Sequence, residues 1–244
     1  MKAIQDYFDI LEEKLKACRE TQAENIDKAA DMIVQSQLKG GNFYVFGTGH
    51  SHMIAEELYT RAGGLAFVKA ILPPELMLHE MVDKSTQLER LPGYAKAILD
   101  LYPIEDRDVI MIISNSGRNS VPVEMALEFK KKGAQVIAIT SLRHSTKVTS
   151  RQKDGLKLYE VADIVLDNQA VFGDAAYTPD GYDKPVAGTS DFIGIAIVQT
   201  MVASIVEKML EANEEPPVFL SANIDGSAEK NLKWAEKYHL RESR

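Results

Sequence analysis

The sequence predicts an α/β fold, in which a doubly wound five-stranded parallel sheet is flanked by helices and carries an N-terminal helical extension. Two observations support this prediction. Five short runs rich in Val, Ile and Phe have the continuous apolar character of central parallel strands that are covered on both faces. Helical patterns separate most of the runs, and such alternation is typical of doubly wound sheets. The runs lie at residues 43–46, 65–68, 109–113, 136–139 and 164–166.

The helices are predicted from apolar side chains that recur every three or four residues. Residues 3–38 show this spacing, and we expect two helices there that pack against the core. The last long helix is expected to be capped from within residues 189–191, which read Thr-Ser-Asp. The remaining helices are predicted at residues 52–62, 121–132 and 191–210.

A single domain is expected, because 244 residues that are 45% apolar suffice for one sizeable core. Residues 1–40 form the helical extension, residues 41–212 form the core, and residues 213–244 form a C-terminal tail and helix of the same domain. Glycines, prolines and aromatic side chains mix in residues 168–189, so we predict a lid there. The tail is expected to turn at Asp225-Gly226 and then to form a helix.

Composition excludes several classes of protein. The net charge of -8 and the pI of about 5.2 give the surface no general attraction to nucleic acid or anionic lipid. Cys18 is the single cysteine, which excludes an internal disulfide framework and a cysteine metal cluster and suggests a reducing compartment. The N-terminus lacks the apolar core of a signal peptide, and the apolar stretch 193–206 is too short to span a membrane. We therefore expect a cytoplasmic protein.

The first strand runs directly into a glycine loop and then into a helix. Backbone N–H groups and a helix N-terminus converge at such a point, and this arrangement binds anions. A dinucleotide site would need a third glycine where His52 stands and an acid after the second strand, which instead ends Lys69-Ala70-Ile71. The Gly-Lys-Ser/Thr ending of a nucleotide P-loop is also missing. The residues of this first loop are Gly47, Thr48, Gly49, His50 and Ser51.

A second loop repeats this arrangement after the third strand. It is dense in hydroxyl and amide side chains, which donate hydrogen bonds to phosphate oxygens. Loops at the carboxyl ends of neighbouring parallel strands meet in one crevice, so we expect both loops to converge on one phosphate. The alternative is that these serines only cap a turn and a helix. The residues of this second loop are Ser114, Asn115, Ser116, Gly117, Arg118, Asn119 and Ser120.

The two loops, with their spacing, resemble those of the sugar isomerase (SIS) domain family. The resemblance covers about residues 25–212 and implies a flavodoxin-like SIS fold, with a Ser-x-Ser-Gly loop that holds the phosphate of a sugar. It implies that Ser114, Ser116 and Asn119 bind the phosphate together with Ser51. The other predicted phosphate-binding residues are Gly47, Thr48, Gly49, Asn115 and Gly117.

The resemblance extends to a catalytic candidate. Ala55-Glu56-Glu57-Leu58 is similar to a segment of phosphoheptose isomerase, which implies a catalytic role for Glu57. This segment lies about four residues closer to the glycine loop than in that enzyme, about one helical turn. Glu57 as a solvated or interface residue therefore remains the alternative. Aligning the last long helix puts Gln199 or Thr200 where phosphoheptose isomerase has a histidine, and neither side chain is a general acid or base near neutral pH.

Further candidates lie after the second strand and in the tail. Glu75 and His79 are four residues apart, would share one face if their segment is helical, and resemble a Glu and a His of some arabinose-5-phosphate isomerases. A structural or interface histidine is the alternative for His79. His50 and His52 are expected to orient the first loop or to touch the phosphate or the sugar hydroxyls. Asn223 is predicted to line the pocket, with a surface turn as its alternative.

These features favour a phosphosugar-binding protein that is an aldose–ketose isomerase. The alternatives are a non-catalytic sugar phosphate sensor or regulator, and a lyase similar to N-acetylmuramic acid 6-phosphate etherase. No metal or other cofactor is expected, because His50 and His52 have neither a cysteine pair nor an HExxH motif beside them. The resemblance implies a homodimer or homotetramer, and we expect neither a nucleic acid partner nor a membrane partner.

Overall fold

The computed structural model describes residues 2–239, and its centre is a parallel sheet of five strands. The strands are β1 (Phe43–Gly47), β2 (Val68–Ile71), β3 (Val109–Ile113), β4 (Gln135–Thr140) and β5 (Ile164–Asp167). They are arranged in the order β2-β1-β3-β4-β5. The predicted fold class is thereby confirmed. Two further strands, β6 (Ala175–Tyr177) and β7 (Val186–Gly188), form an antiparallel hairpin within the segment predicted as a lid.

Helices cover both faces of the sheet. They are α1 (Lys2–Leu38), α2 (His52–Leu58), α3 (Val82–Leu88), α4 (Tyr94–Leu99), α5 (Ser120–Lys131), α6 (Leu142–Ser145), α7 (Leu158–Val161), α8 (Ser190–Glu211) and α9 (Ser227–Tyr238). Successive strand residues point to opposite faces. On β1, Phe43 and Val45 join a core with α1, α2 and α8, whereas Tyr44 and Phe46 join a second core with α4 and α5. The sheet is therefore buried on both sides.

The prediction of two N-terminal helices was wrong. One helix, α1, runs from Lys2 to Leu38 without interruption, and it contains neither glycine nor proline to end it earlier. Its C-terminal half carries the buried residues Ile26, Ile33 and Val34, whereas Ile4 and Phe8 near its start are exposed. The helix therefore joins the core mainly through one half of its length.

The second strand and the first core helix differ from their predicted bounds. The strand was expected at residues 65–68, but it pairs with β1 only from Val68 to Ile71. Leu65 is buried and bridges Val218 of the tail, which explains why an apolar run precedes the strand. Helix α2 was expected to reach residue 62 but ends at Leu58, because Tyr59 is extended and Thr60 has a φ of 48°.

Helix α8 is long and apolar enough to cross a membrane by length and composition, with a mean hydropathy of 1.6. Its residues Ile193, Ile197 and Met201 are nevertheless buried in the core that α1 and α2 share. This is the position of a core helix.

Candidate functional site

The two predicted loops line one cavity at the carboxyl ends of β1 and β3. The cavity has a volume of about 380 Å³, and Glu89, His144 and Asp174 complete its wall. We call it the phosphate chamber. Its other lining residues are Thr48, Gly49, His50, Ser51, Leu78, Val82, Ser85, Thr86, Ser114, Asn115, Ser116, Asn119 and Gly173.

The first loop turns sharply between β1 and α2. A Cβ atom on Gly47 would lie 2.5 Å from the backbone oxygen of Ser51, so only glycine fits there. Gly49 has a φ of +56°, in the left-handed region, and it starts a 3-10 turn that leads into α2. His52 is buried and its Nδ1 contacts the backbone oxygen of Gly49, so it holds the loop rather than facing the chamber. His50 faces the chamber.

The second loop is bonded to the strands and loops beside it. The backbone oxygen of Asn115 accepts hydrogen bonds from the Ser141 N–H at 3.1 Å and from Thr140 Oγ1 at 3.2 Å. Its side-chain Oδ1 accepts from Asn168 Nδ2 at 3.0 Å. Ser114 Oγ accepts from the N–H of Gly117 at 3.2 Å. These bonds fix the loop at the N-terminus of the 12-residue helix α5.

Glu89, which follows α3, was missed in the sequence. Its carboxylate accepts hydrogen bonds from Thr48 Oγ1 at 2.9 Å and from Asn119 Nδ2 at 2.7 Å, so it joins the two loops. Burial raises the pKa of this carboxyl, and the two hydrogen bonds partly oppose that rise. Its sequence context, Gln87-Leu88-Glu89-Arg90, is that of an ordinary helix end. It contains no motif that would have indicated a functional residue.

A second chamber of about 470 Å³ adjoins the first. It shares four lining residues with the phosphate chamber, namely His50, Ser51, Asn115 and Asp174. Its further lining residues are Gly188, Ser190 and Asp191. We call it the sugar-side chamber, because the four shared residues place it directly beside the phosphate chamber.

Two acidic side chains of the sugar-side chamber also escaped the sequence analysis. Burial raises the pKa of the Asp191 carboxyl, while His50 and His52 lower it and Asp174 raises it. Asp174 accepts hydrogen bonds from the N–H groups of Thr189 and Ser190 at 3.0 and 2.9 Å and therefore caps α8. Asp191 was considered only as a helix cap, although its place directly after the predicted lid marked it as a residue near the crevice.

His144 closes the phosphate chamber from the side of α6. Its Nδ1 accepts a hydrogen bond from the Gly173 N–H at 2.9 Å, and its ring stacks on Phe172 with centroids 4.9 Å apart. Burial, helped by the nearby Arg118, lowers the pKa of His144. The neutral imidazole thus ties the start of the predicted lid to the chamber.

Glu57 faces α8 rather than either chamber. Its Oε1 accepts a hydrogen bond from Gln199 Nε2 at 3.0 Å, and Arg61 forms an ion pair with the same carboxylate. Gln199 is one of the two residues aligned with the expected histidine, so the two segments compared with phosphoheptose isomerase lie side by side in this structure. The Glu57 carboxylate is thus bound by the amide of Gln199 and the guanidinium of Arg61. Glu57 lines neither chamber.

The segment that holds Glu75 and His79 is not a helix, so the condition for a shared helical face is not met. Only Pro74–Leu76 forms a 3-10 turn, and Met77 is extended with φ -96° and ψ 165°, because the Pro73-Pro74 pair starts a turn and not a helix. Glu75 accepts a hydrogen bond from the Tyr94 hydroxyl, which lowers the pKa of the carboxyl. His79 is exposed, 6.3 Å from His52 between ring centroids. Neither lines a chamber.

Asn223 lies in the tail at the opposite end of the sheet. The tail pairs with the segment before β2 through Gly63 N–H to Phe219 O at 2.8 Å and Phe219 N–H to Gly64 O at 3.0 Å. Asn223 is exposed beyond this pairing, and the structure of one chain does not bring it to the cavity. Among residues 2–239, no group of three or more His, Cys, Asp or Glu side chains has an arrangement that would hold a metal ion.

Comparison with known families agrees with this geometry. The family model described as the SIS domain matches residues 6–141, which contain both loops. The chain belongs to the SIS domain family. The recognition made from the two loops is therefore confirmed.

Relatives of this SIS protein span its whole fold. UPF0309 protein BH3325 of Halalkalibacterium halodurans is 52% identical over 233 residues, which cover 96% of each chain. UPF0309 protein TTE0306 of Caldanaerobacter subterraneus is 44% identical over 238 residues, covering 96% of this chain and 97% of the relative.

Two solved structures share its fold at low identity. Phosphoheptose isomerase GmhA from Neisseria gonorrhoeae superposes with a TM-score of 0.56 at 15% identity and covers 84% of this chain and 98% of its own. The sugar isomerase domain of the RpiR transcription factor from Sphaerobacter thermophilus gives a TM-score of 0.52 at 14% identity, covering 97% and 98%. At these identities the likeness concerns the fold alone.

Proposed function

We propose that this SIS protein binds a sugar phosphate in its two-chambered cavity and interconverts the aldose and ketose forms. The phosphate lies in the phosphate chamber, where it accepts hydrogen bonds from Ser51, Ser114 and Ser116. The N-terminus of α5 and the backbone N–H groups of the loop add favourable electrostatic interaction with the anion. The observation that carries the proposal is that two loops from separate strands line one cavity with neutral donors.

The sugar carbons extend from the phosphate into the sugar-side chamber. There the carboxylate of Asp191 removes the proton from carbon 2 of the open-chain aldose, and the electron pair forms an enediolate. Returning that proton to carbon 1 yields the ketose, so the step consumes no other reactant. His50, which lines both chambers, moves the proton between the two substrate oxygens. Burial raises the pKa of Asp191, so this carboxylate is a stronger base than an exposed aspartate.

The alternative function is a sugar phosphate sensor that binds without turnover. Arg61 forms an ion pair with Glu57, and Gln199 donates a hydrogen bond to it. These interactions favour the sensor, because they occupy the carboxylate that the family resemblance implied to be catalytic. The sensor needs the same phosphate chamber but no base. Binding and turnover therefore have to be measured separately.

A substrate panel separates the two functions. The protein is incubated with phosphorylated pentoses, hexoses, heptoses and hexosamines and with N-acetylmuramic acid 6-phosphate, and interconversion or lactate release is followed. Turnover of an aldose–ketose pair supports the isomerase, and lactate release would instead indicate the lyase. Tight binding of one sugar phosphate by calorimetry, without turnover of any, would support the sensor and contradict the isomerase.

A homo-oligomer is also part of the proposal. Exposed Ile4 and Phe8 on α1, together with an apolar groove of about 590 Å³ between α1 and α8, offer surface for a second copy of the chain. Light scattering after size exclusion is expected to give a mass of two or four chains. A mass of one chain at micromolar concentration would contradict this part.

A further inference from the structure

Glu89 places a carboxylate within the set of donors that is proposed to hold an anion. Its two oxygens accept hydrogen bonds from Thr48 Oγ1 at 2.9 Å and Asn119 Nδ2 at 2.7 Å. Both residues belong to the predicted phosphate-binding set, and all three line the phosphate chamber. The carboxylate therefore takes up donors that a phosphate needs.

An ionised Glu89 conflicts with a bound phosphate in two ways. The two negative charges repel each other, and the repulsion is stronger in a partly buried site than in water. The hydroxyl of Thr48 also has only one hydrogen, so it donates either to Glu89 or to the phosphate. A carboxylate at this position would thus weaken anion binding unless its charge changes.

We propose that the phosphate chamber takes up one proton from solvent together with the phosphate dianion, and that Glu89 carries this proton. This inference rests on the proposed function and adds to it a pH-dependent affinity. Protonation removes one negative charge and turns Glu89 from a pure acceptor into a group that also donates. The Thr48 hydrogen is then free for the phosphate, and the Glu89 O–H donates to the Thr48 oxygen or to the anion itself.

The surroundings of Glu89 suit a group that changes its charge. It is partly buried, and burial is the main cause that raises its pKa above the ordinary glutamate value. Arg151 lies behind Asn119, to whose Oδ1 its Nη1 donates at 2.8 Å, and it lowers the Glu89 pKa together with Arg90. The other titratable groups that line the chamber are His50, His144 and Asp174.

Sulfate is the most direct probe, because it remains a dianion through the pH range in which carboxyls and histidines titrate. Its dissociation constant is measured by calorimetry from pH 5.5 to 8.5 for the wild type, for Glu89→Gln and for Glu105→Gln. Glu105 is an exposed, ion-paired glutamate before β3, at the other end of the sheet, so its substitution removes one charge without touching the chamber.

The wild type is expected to lose sulfate affinity as pH rises, by up to roughly tenfold per pH unit in the window where Glu89 is ionised only in the empty protein. Glu89→Gln lacks the pH dependence that Glu89 contributes. At pH 8.5 the variant carries one negative charge less in the chamber than the wild type, so it is expected to bind sulfate at least about tenfold more tightly. Glu105→Gln should follow the wild type.

Two imidazoles, those of His50 and His144, line the same chamber and remain in Glu89→Gln. A double variant, His50→Gln with His144→Gln, removes both and is expected to retain the pH dependence that Glu89 contributes. This variant also tests the proposal should Glu89→Gln fail to fold by circular dichroism.

Two results would overturn the inference. One is a wild-type sulfate affinity with the same pH dependence as that of Glu89→Gln, and the other is a pH-independent affinity in the double histidine variant. Either leaves the proposed function standing, because sulfate or a sugar phosphate still binds. Absence of binding of sulfate and of every sugar phosphate of the panel, in all variants, would instead contradict the proposed function and the inference together.

Discussion

The two chambers of the cavity differ in what their walls contribute. The phosphate chamber presents mostly neutral hydroxyl and amide donors, whose loops are fixed by bonds such as Asn168 Nδ2 to Asn115 Oδ1. The sugar-side chamber adds the carboxylate of Asp191 to the His50 and Asp174 side chains that line both chambers. Neutral, fixed donors suit the binding of an anion, whereas a buried carboxylate suits proton transfer. The proposed function therefore assigns binding and proton transfer to different chambers, and variants of each chamber should affect different kinetic constants.

The largest effect is expected from the sugar-side chamber. Asp191→Asn removes the proposed base while keeping its size, so kcat should fall by roughly 100-fold to 10,000-fold with little change in KM. Steady-state kinetics on the substrate identified in the panel measures this. Asp183→Asn, an exposed residue of the predicted lid between β6 and β7, is the control and should behave as the wild type. A rise in KM at unchanged kcat would place Asp191 in binding and remove the distinction between the chambers.

The next largest effect is expected on stability, from the first loop, whose His50 and Ser51 line both chambers. Gly47→Ala places a Cβ atom against the Ser51 backbone, which has little freedom to move, so the free energy of unfolding should fall by roughly 2–3 kcal/mol. Gly155→Ala is the matched control, because it strains a φ of +78° in open space and should cost about 1 kcal/mol. Urea unfolding gives both values. Equal losses would mean that the first loop relaxes easily.

A smaller effect is expected from the phosphate chamber. Ser116→Ala should weaken sugar phosphate binding by roughly 1–3 kcal/mol through a lost charged hydrogen bond, with kcat nearly unchanged. Ser204→Ala on α8, whose hydroxyl bonds Asp27 outside the cavity, serves as the control in calorimetry. Unchanged affinity in Ser116→Ala would argue against phosphate at this loop.

The smallest expected effect is a shift in the pH dependence of catalysis. In the proposed mechanism the carboxylate form of Asp191 is the active one. Burial raises the pKa of this carboxyl, so activity should decline on acidification at a pH above the pKa of an ordinary aspartate. The acidic limb of a plot of kcat/KM against pH reports this pKa in the free enzyme. A limb at or below the ordinary aspartate range would exclude Asp191 as the base.

The phosphate chamber was predictable because each of its loops is continuous in sequence between an apolar strand and a helix. The immediate sequence neighbours of Gly47 and Ser116 were enough to predict that these residues belong to the two loops. The sheet was predictable for the same reason, since β1, β3, β4 and β5 each contain a short uninterrupted apolar run. Only the second strand shifted, because Leu65 is buried by the tail and not by strand pairing.

The groups proposed for proton transfer were not predictable in this way. Glu89 reaches the cavity from a segment that contains no motif, and for Asp191 the sequence offered only its place directly after the predicted lid. Glu57 carried a family pattern, yet it is bound to Gln199 on α8, 142 residues along the chain. Contacts of that separation leave no local signal in a single sequence.

The central claim is that one cavity holds a sugar phosphate between the two loops with its carbons directed at Asp191. A crystal structure with a bound substrate from the panel tests this most directly. We predict density for the phosphate within hydrogen-bonding distance of Ser51 and Ser116, and for the first two carbons beside the Asp191 carboxylate. A phosphate bound elsewhere, or a sugar directed away from the sugar-side chamber, would contradict the account.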